Sequence, residues 1–478
     1  MKTLFTIAGG EIQLWRRTRV AVLAVSAFAI VLVVSCLLTA QRMNHAAEER
    51  TRQQTTAEET FLAQPERHPH RMVHYGHYAF RPPPPLSIVD PGVDATTGQS
   101  IFLEGHRQNT AMFSDARASA DLGGLGSLTP ALVYQFLLPL LLIAIGHGVM
   151  VREREARTLG PLLAQGVTGR QLYAGKSLAL LGVAAVMLVP MLLLSAYGVL
   201  QGEHLAASLG LFGIYAAYAL VWCSAVALVS TLAETRGVAL GVLASLWLAS
   251  TLVVPPLAVA TTGVAVPSEG KALSDLRMQA ELRALGDGHN AADPAFAQLR
   301  ANLLAQYHVE DVADLPINIR GVVAQSSEAS LTELMNRYAE ERMALELRQS
   351  SRAALFGWLS PTIAVSSASR TVAGTDLETH HRFLRETEAL RFAFVQGLNQ
   401  VHAEKLAYSD DINRSRDAES ERRTRVSTEN WRVLESFRFE PDPAKLRWSR
   451  ASTDSLPLLV WLGVFIGLGV ISSGRVKP

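Results

Sequence analysis

Six long apolar runs stand out along the chain, separated by segments in which charged and polar residues are frequent. A helix of about 20 residues crosses the roughly 30 Å hydrocarbon layer of a membrane. The runs, called spans one to six below, cover residues 20–38, 131–151, 178–200, 205–232, 238–260 and 456–471, the last being the shortest. A soluble core would not need six such runs. The pattern therefore predicts an α-helical integral membrane protein with six transmembrane helices.

The residues ahead of span one read MKTLFTIAGGEIQLWRR and mix apolar side chains, such as Phe5 and Trp15, with polar ones. This mixture is typical of a short interfacial helix that leads into the membrane. Span one is longer than the apolar run of a signal peptide, and only a weak small-residue cleavage site follows it. We expect residues 1–40 to form an interfacial helix and an uncleaved span one.

Lysine and arginine are concentrated before span one, between spans two and three, between spans four and five, and after span six. The segment between spans three and four, QGEH, has none. Because positive residues favour the cytoplasmic side, we expect a multi-pass protein of the cell inner membrane with both termini in the cytoplasm. In the predicted organisation, residues 1–40 form the interfacial helix and span one, and residues 41–128 form the first periplasmic insertion. Residues 129–260 contain spans two to five with a cytoplasmic segment at 151–177. Residues 261–454 form the second periplasmic insertion, which is mainly helical, and residues 455–478 form span six and the cytoplasmic tail.

Composition narrows the possible partners. The formal net charge is +1, whereas a nucleic-acid-binding chain shows a basic excess, so we expect no nucleic-acid partner. The two cysteines, Cys36 and Cys223, lie in spans one and four at different depths. The two insertions contain no cysteine, so packing must hold them together.

The first insertion contains HPHRMVHYGHYAFRPPPP, with histidines at His68, His70, His74 and His77. Imidazole is a good ligand for zinc and copper, which makes these four residues candidate metal ligands. Their spacing matches no closed structural zinc pattern, and no cysteine accompanies them. We expect a loop that packs on the second insertion, without a metal.

The second insertion has helical periodicity. Leu331, Leu334 and Tyr338 share one predicted face, and Phe383 and Phe394 share another. Between these helices the apolar stretch 353–365 is too short to span a membrane, which leaves a buried core segment or a segment at the outer membrane surface. No catalytic signature of a hydrolase or metalloprotease is present in the sequence, so we expect no enzyme activity.

Residues 166–177, GVTGRQLYAGKS, end like a phosphate-binding loop. In the signature G-x-x-x-x-G-K-[ST] the first glycine would fall at position 170, which is Arg170. We instead predict a short helix with an apolar stripe ending at Gly166, and a second helix begun by a capping box of Thr168 and Gln171. Lys176 is then an anchor at the membrane edge.

The pattern E-R-E…T-L…L-L…G-V-(S/T)…L…G-K between two spans resembles the coupling-helix segment of ABC-2 type exporter permeases. The family often has glycine before the threonine, where this chain has Arg157. The six spans, the interfacial helix and the two insertions also resemble a branch of this family with large periplasmic insertions of poorly characterised function. The residues at the matching positions are Glu153, Arg154, Glu155, Thr158, Leu159, Leu162, Leu163, Gly166 and Lys176.

The resemblance implies the transmembrane permease subunit of an ATP-driven exporter. Its partners would be an ABC ATP-binding subunit, which carries the ATP, and a second permease copy or a sister permease; the chain itself would bind no cofactor. A G-x-x-x-G motif at Gly463 and Gly467 in span six could pack against such a copy or within one subunit. The alternatives are a membrane-anchored sensor or receptor with an extracytoplasmic ligand-binding domain, and a membrane metalloenzyme that uses the outer histidines.

Overall fold

The computed structural model describes residues 2–109 and 128–476, apart from the side chains of residues 433, 435 and 436. Residues 110–127 of the predicted first insertion therefore lie outside the described part of the chain. The described residues are mainly helical, and the prediction of six helices long and apolar enough to cross a membrane is confirmed. These helices are Val20–Leu62, Pro130–Glu155, Gly169–Leu200, Leu205–Leu232, Arg236–Ala265 and Ala444–Ser473.

Spans two and five are not continuous α-helices. Span two contains a π-helical turn at Val133–Leu137, followed by α-helix Leu138–Gly146; span five contains one at Ala249–Val253, followed by Val254–Ala265. Prolines lie directly after both π-turns, in the first turns of the α-helices that follow. Proline cannot donate the usual helical hydrogen bond and crowds the preceding turn, and a π-turn changes the bonding pattern where this occurs.

The helices of spans one and six extend well beyond their apolar runs. Span one was predicted to end at residue 38, but its helix continues to Leu62 because residues 39–62 contain neither glycine nor proline. At 1.5 Å per residue a helix of 43 residues is about 65 Å long, twice the hydrocarbon thickness. Span six likewise starts at Ala444, within the predicted second insertion.

The aromatic side chains of spans two and four form the centre of the bundle. Tyr134, Tyr215 and Tyr218 are completely buried. Their hydroxyl groups are hydrogen-bonded: Tyr134 donates to the carbonyl of Met187 at 2.8 Å, and Tyr218 to the carbonyl of Gln135 at 2.7 Å. Buried phenols therefore have the partners they need within the bundle.

Part of the apolar stretch 353–365 lies in the core of the bundle. Helix Pro361–Ala373 packs between spans four and six, and its apolar residues belong to the same buried cluster as those of the spans. Thr362 and Ser369 are within 3.0 Å of the hydroxyl oxygens of Tyr218 and Tyr215. The preceding 3₁₀ turn exposes large apolar side chains, including Trp358. The buried-core alternative is therefore confirmed for the residues within this helix, and a position at the outer membrane surface stays a prediction for the exposed residues before it.

The remaining elements form a domain at the end of the bundle away from the 151–177 segment. Strands His77–Phe80 and Ser100–Leu103 pair antiparallel, with His77 opposite Leu103. This domain has its own core, centred on Phe61, Phe394 and Trp431. Its α-helices are Pro69–Val73, Asp94–Thr97, Lys271–Leu282, Ala297–Tyr307, Ile319–Ala354, Leu377–Lys405, Tyr408–Asn413 and Ala418–Arg423, and its 3₁₀ turns are Pro294–Phe296, Val312–Asp314 and Thr428–Ser436. The 3₁₀ turns Pro85–Ile88 and Leu355–Trp358 pack against helices of the bundle.

Candidate functional site

Two short helices, Val151–Glu155 and Leu159–Ala164, connect span two to span three. Each ends in the same hydrogen-bonded turn. In the second, Gly166 has a φ of 84°, and the N–H of Val167 donates to the carbonyl of Leu162 at 3.3 Å. This is a Schellman motif, in which a residue in the left-handed region reverses the chain. The predicted helix end at Gly166 is confirmed.

The first helix ends with Arg157 in the left-handed position, at a φ of 57°. The N–H of Thr158 donates to the carbonyl of Glu153 at 2.9 Å, and the N–H of Arg157 to that of Arg154 at 3.0 Å. Glycine adopts this backbone conformation without steric cost, whereas other residues do so at about 1–2 kcal/mol. The turn therefore forms despite the arginine, at the position where the resembling family often has glycine.

Residues 169–200 form one helix, and its start is as predicted. Thr168 accepts from the N–H of Gln171 at 3.2 Å, and the Gln171 side chain accepts from the N–H of Thr168 at 2.9 Å. Gly175 and Lys176 lie inside this helix. A phosphate-binding loop precedes its helix and follows a strand, so the glycine and lysine of this stretch serve helix packing instead.

Arg154 and Glu155 join the 151–177 segment to the ends of two spans. The Arg154 guanidinium donates to the carbonyls of Thr231 and Ala233, at 2.5 and 2.7 Å, where span four ends. The Glu155 carboxylate accepts from the backbone N–H of Arg236 at 2.7 Å, where span five begins, and also pairs with the Arg236 side chain. A cation at a helix C-terminus and an anion at an N-terminus are both favoured by the helix dipole.

Lys176 is buried, not an anchor at the membrane edge as the sequence suggested. Only 3% of its side chain is exposed, and its ammonium group lies 2.6 Å from Glu153 and 3.1 Å from Glu11. Arg152 donates to both oxygens of Glu11, at 2.5 and 2.7 Å. These four residues, called the ion cluster below, tie the N-terminal helix Lys2–Arg17 to spans two and three. Glu153 is therefore part of a largely buried network, and not of an exposed ion pair.

The three leucines of the predicted apolar stripe differ in exposure. Leu159 is only 5% exposed and packs in the core of this chain, and Leu162 and Leu163 are half-buried against the same core. The side chains that face outward on the second short helix and its end are those of Pro161, Ala164 and Gln165. A docking role for the leucines stays a prediction, and the face open to a partner is the one that carries Ala164 and Gln165.

The G-x-x-x-G glycines of span six do not pack closely against other helices within the described part of the chain. A Cβ atom added at Gly463 or Gly467 would meet no heavy atom within 4 Å among the described residues. Close helix packing inside one subunit therefore does not explain them. A contact with a second chain stays a prediction.

The four candidate histidines of the first insertion separate into three environments. His77 is buried beside Phe61, at 4.7 Å between ring centroids. His68 caps helix Pro69–Val73 and lies 3.1 Å from Asp411. His70 and His74 lie on one face of that helix, with 3.2 Å between their Nε2 atoms.

His70 and His74 meet two histidines that the sequence did not suggest as ligands. These are His106, after the second strand, and His289, in the loop after helix Lys271–Leu282. One ligand nitrogen from each of the four residues lies within 4.8 Å of the others. Burial, followed by the neighbouring imidazoles, holds the pKa of His70 well below its ordinary value, and the pKa of His74 is lowered for the same reasons. A lowered pKa favours the neutral imidazole, which is the form that binds metals.

A second group consists of His68, His402 and Asp411, all buried. The Asp411 carboxylate is 3.1 Å from His68 and 2.8 Å from His402, and it also accepts from Asn318 at 3.2 Å. Burial lowers the pKa of His68 to about 4. Burial disfavours the charged form of Asp411, but the hydrogen bonds from the two histidines outweigh it and its pKa is lowered. This network therefore supplies the hydrogen-bond partners that a buried carboxylate needs.

Residues 275–440 match a protein family described as "Domain of unknown function (DUF3526)". The matched range lies inside the second insertion, ends just before span six and covers well under half of the chain. It includes His289, whereas the other three histidines of the four-histidine group lie outside it. No similar protein is found among the curated proteins.

Proposed function

We propose that this protein is the transmembrane permease subunit of an ATP-driven ABC exporter of the ABC-2 type. The observation that carries the proposal is the way in which three successive residues join the 151–177 segment to the rest of the bundle. Glu153 bonds to span three, Arg154 to the end of span four and Glu155 to the start of span five. A force applied to this short segment therefore reaches three spans through direct contacts, as a coupling helix requires.

The N-terminal helix, the turn between spans four and five, and the end of span six lie beside this segment. Gly169 packs against the backbone of Ser473, and Glu11 of the N-terminal helix lies in the ion cluster. We propose that this end faces the cytoplasm of a cell with an inner membrane, and that the insertions are periplasmic. The positive residues counted in the sequence support the same orientation.

The proposed partner is an ATP-binding subunit that supplies the ATP chemistry, with a second permease copy or a sister permease beside it. Ala164 and Gln165 form the outward face onto which the ATP-binding subunit would dock. Leu159, in the second short helix, packs in the buried core and holds the segment to the bundle. A force on the outward face of this helix would therefore move the segment as a unit.

A cavity of about 690 Å³ between spans two and five and helix Pro361–Ala373 supports an amphipathic cargo. Its lining combines apolar side chains, including Phe136 and Val259, with the charged side chains of Arg370, Arg450 and Asp454. Ligand sites commonly combine an apolar lining with a few polar groups that fix orientation. Cargo with both apolar and charged groups would match this mixed lining.

Site-specific photo-crosslinking tests the proposal. A photoreactive amino acid at Gln165 should form a crosslink in cells to a protein that carries an ATP-binding signature, identified by mass spectrometry. The matched control is Gln298, which follows an alanine on an exposed helix of the second insertion, as Gln165 follows Ala164. No ATP-binding protein should crosslink there.

The double variant Ala164→Glu, Gln165→Glu should lose the ATP-binding subunit on purification, while Ala297→Glu, Gln298→Glu retains it. Both pairs are exposed, so the two variants should unfold at the temperature of the wild type. A wild-type protein that crosslinks to no ATP-binding subunit at Gln165, and purifies without one, would refute the proposed function.

A further inference from the structure

We propose that His70, His74, His106 and His289 form a binding site for one divalent transition-metal ion, of the zinc and copper class, that joins the two insertions. The inference does not depend on the transport function. Three of the ligands come from the first insertion and the fourth from the second. The geometry of the four imidazoles, the groups behind them and the place of the site in the fold each support it.

The imidazole rings converge on one point. The distances between ring centroids are 4.8 Å for His70 and His74, 4.9 Å for His70 and His289, and 5.0 Å for His106 and His289. In a tetrahedral zinc site with Zn–N bonds of 2.0–2.1 Å, ligand nitrogens lie about 3.3 Å apart. The Nε2 atoms of His70 and His74 are already 3.2 Å apart. Small side-chain rotations of His106 and His289 would complete the site.

A carboxylate lies beside each of two rings. His106 Nδ1 lies 2.8 Å from Glu328, and His289 Nδ1 lies 3.1 Å from Asp287. Each pair leaves the Nε2 atom of the histidine for a metal. The Nε2 atom of His106 is buried and has no hydrogen-bond partner among the described residues. Carboxylate–histidine–metal triads of this kind fix the tautomer and strengthen the ligand.

The backbone and the buried groups behind it fix the positions of three of the histidines. His70 and His74 are four residues apart on helix Pro69–Val73 and its C-terminal end, so their side chains lie on the same face. His106 adopts a φ of 63° directly after the second strand. Glu328, which holds His106, is itself held by Arg391 at 2.5 Å. The position of His106 is therefore determined by buried groups and not by a free loop.

The other group of candidate ligands, His68, His402 and Asp411, differs in a decisive way. Arg320 and Arg414 each lie 3.6 Å from the Asp411 carboxylate. Two guanidinium groups at that distance repel a metal cation, and both histidines already bond to the carboxylate. The metal ion therefore belongs to the four-histidine group.

Zinc titration of the full chain tests the proposal. The protein is purified in detergent with a tag that contains no histidine, stripped with a chelator, and titrated with Zn²⁺ against a chromophoric zinc indicator. We expect one Zn²⁺ to bind per chain and to raise the unfolding temperature. Millimolar Mg²⁺ or Ca²⁺ should not displace it, whereas Cu²⁺ should. Displacement by Ca²⁺ would indicate an oxygen-lined site and would overturn the proposal.

Three variants locate the ion. His289→Asn removes a ligand whose side chain is 51% exposed, so the zinc-free variant should unfold like the zinc-free wild type, while affinity falls at least tenfold. Asp287, which lies beside His289, is even more exposed, and Asp287→Asn should weaken Zn²⁺ binding about tenfold. The control is His308→Asn, an exposed histidine that shares the left-handed backbone of His106, with a φ of 56°. It should bind Zn²⁺ like the wild type.

The proposal fails if the wild type binds no stoichiometric Zn²⁺. It fails equally if His289→Asn and Asp287→Asn both retain wild-type affinity, or if His308→Asn loses as much affinity as His289→Asn. In each of these cases the four imidazoles would be shown not to hold the ion.

Discussion

Replacing Lys176 by methionine should undock the N-terminal helix. Methionine has nearly the shape of the lysine stem but cannot neutralise Glu11 or Glu153. Lys176 is 3% exposed and Glu11 is 4% exposed, so neither charge is well solvated. Removing one partner of a buried ion pair costs about 3–5 kcal/mol, because the other charge is left uncompensated.

The lower end of that range applies here. Glu11 keeps its two hydrogen bonds from Arg152, and Glu153 keeps the hydroxyl of Thr158. We therefore expect a loss of about 3 kcal/mol, which for a chain of this length corresponds to a fall in unfolding temperature of about 3 °C. Adding Glu11→Gln restores charge balance, since Arg152 and Glu153 remain, and should recover more than half of the loss.

Two measurements follow the change. The first is thermal unfolding in detergent. The second is the rate of maleimide labelling of Ala8→Cys, in a background without Cys36 and Cys223, because Ala8 is buried when the N-terminal helix is docked. Labelling should accelerate in Lys176→Met and slow again in the variant with Glu11→Gln.

Arg170→Met is the matched control, since it removes a positive charge from an exposed position on the same helix. It should leave both the unfolding temperature and the labelling rate unchanged. The reasoning would be refuted if Lys176→Met unfolded within about 1 °C of the wild type, which is well below the expected shift, and if its Ala8→Cys labelling were no faster. Equal losses in the two variants would show that overall charge, and not the ion cluster, is responsible.

Three further outcomes are expected. Arg157→Gly should stabilise the protein by about 1 kcal/mol and Gly166→Ala should destabilise it by a similar amount, because both positions have left-handed backbones; thermal unfolding measures both. Burial lowers the pKa of His68 from its ordinary 6.5 to about 4, so the neutral form of His68 stabilises the folded state fully above pH 6.5. About 3 kcal/mol of the free energy of unfolding is lost as the pH falls from 6.5 to 4. His68→Gln should lack this part of the pH dependence of unfolding. In whole cells, a cysteine at Gln298 should react with an impermeant thiol reagent and one at Gln165 should not; labelling of Gln165 from outside would reverse the proposed orientation.

Local sequence patterns predicted what is determined locally. The spans follow from uninterrupted apolar runs, and the capping box of Thr168 and Gln171 follows from residue types three positions apart. The end of the short helix at Gly166 could be predicted because one glycine is sufficient to reverse the chain. The faces of helices Ile319–Ala354 and Leu377–Lys405 could be predicted from their period.

Contacts between distant parts of the chain could not be predicted in this way. Lys176 at the end of a polar segment has the sequence of a membrane-edge anchor, and only the fold places Glu11 beside it. Similarly, the spacing of His70 and His74 gave half of a metal site. The other half, His106 and His289, lies in segments with no ligand pattern of their own, and its only sequence signal is a carboxylate two residues before His289.

The two ends of the molecule are connected by helices and not by flexible linkers. The helix of span one, Val20–Leu62, passes from the bundle into the outer domain, where Phe61 lies in the core. Arg447, near the beginning of the span six helix, pairs with Glu203 of the loop between spans three and four. A tilt of 5° in a rod about 65 Å long moves its far end by about 6 Å. Helix Pro69–Val73, which carries two of the four histidines, follows span one after only a short turn. A tilt of span one relative to the second insertion would change the distance between the two halves of the proposed metal site. Binding energies at coupled sites are reciprocal, so a metal ion that favours one separation of the insertions also favours the arrangement of spans that goes with it.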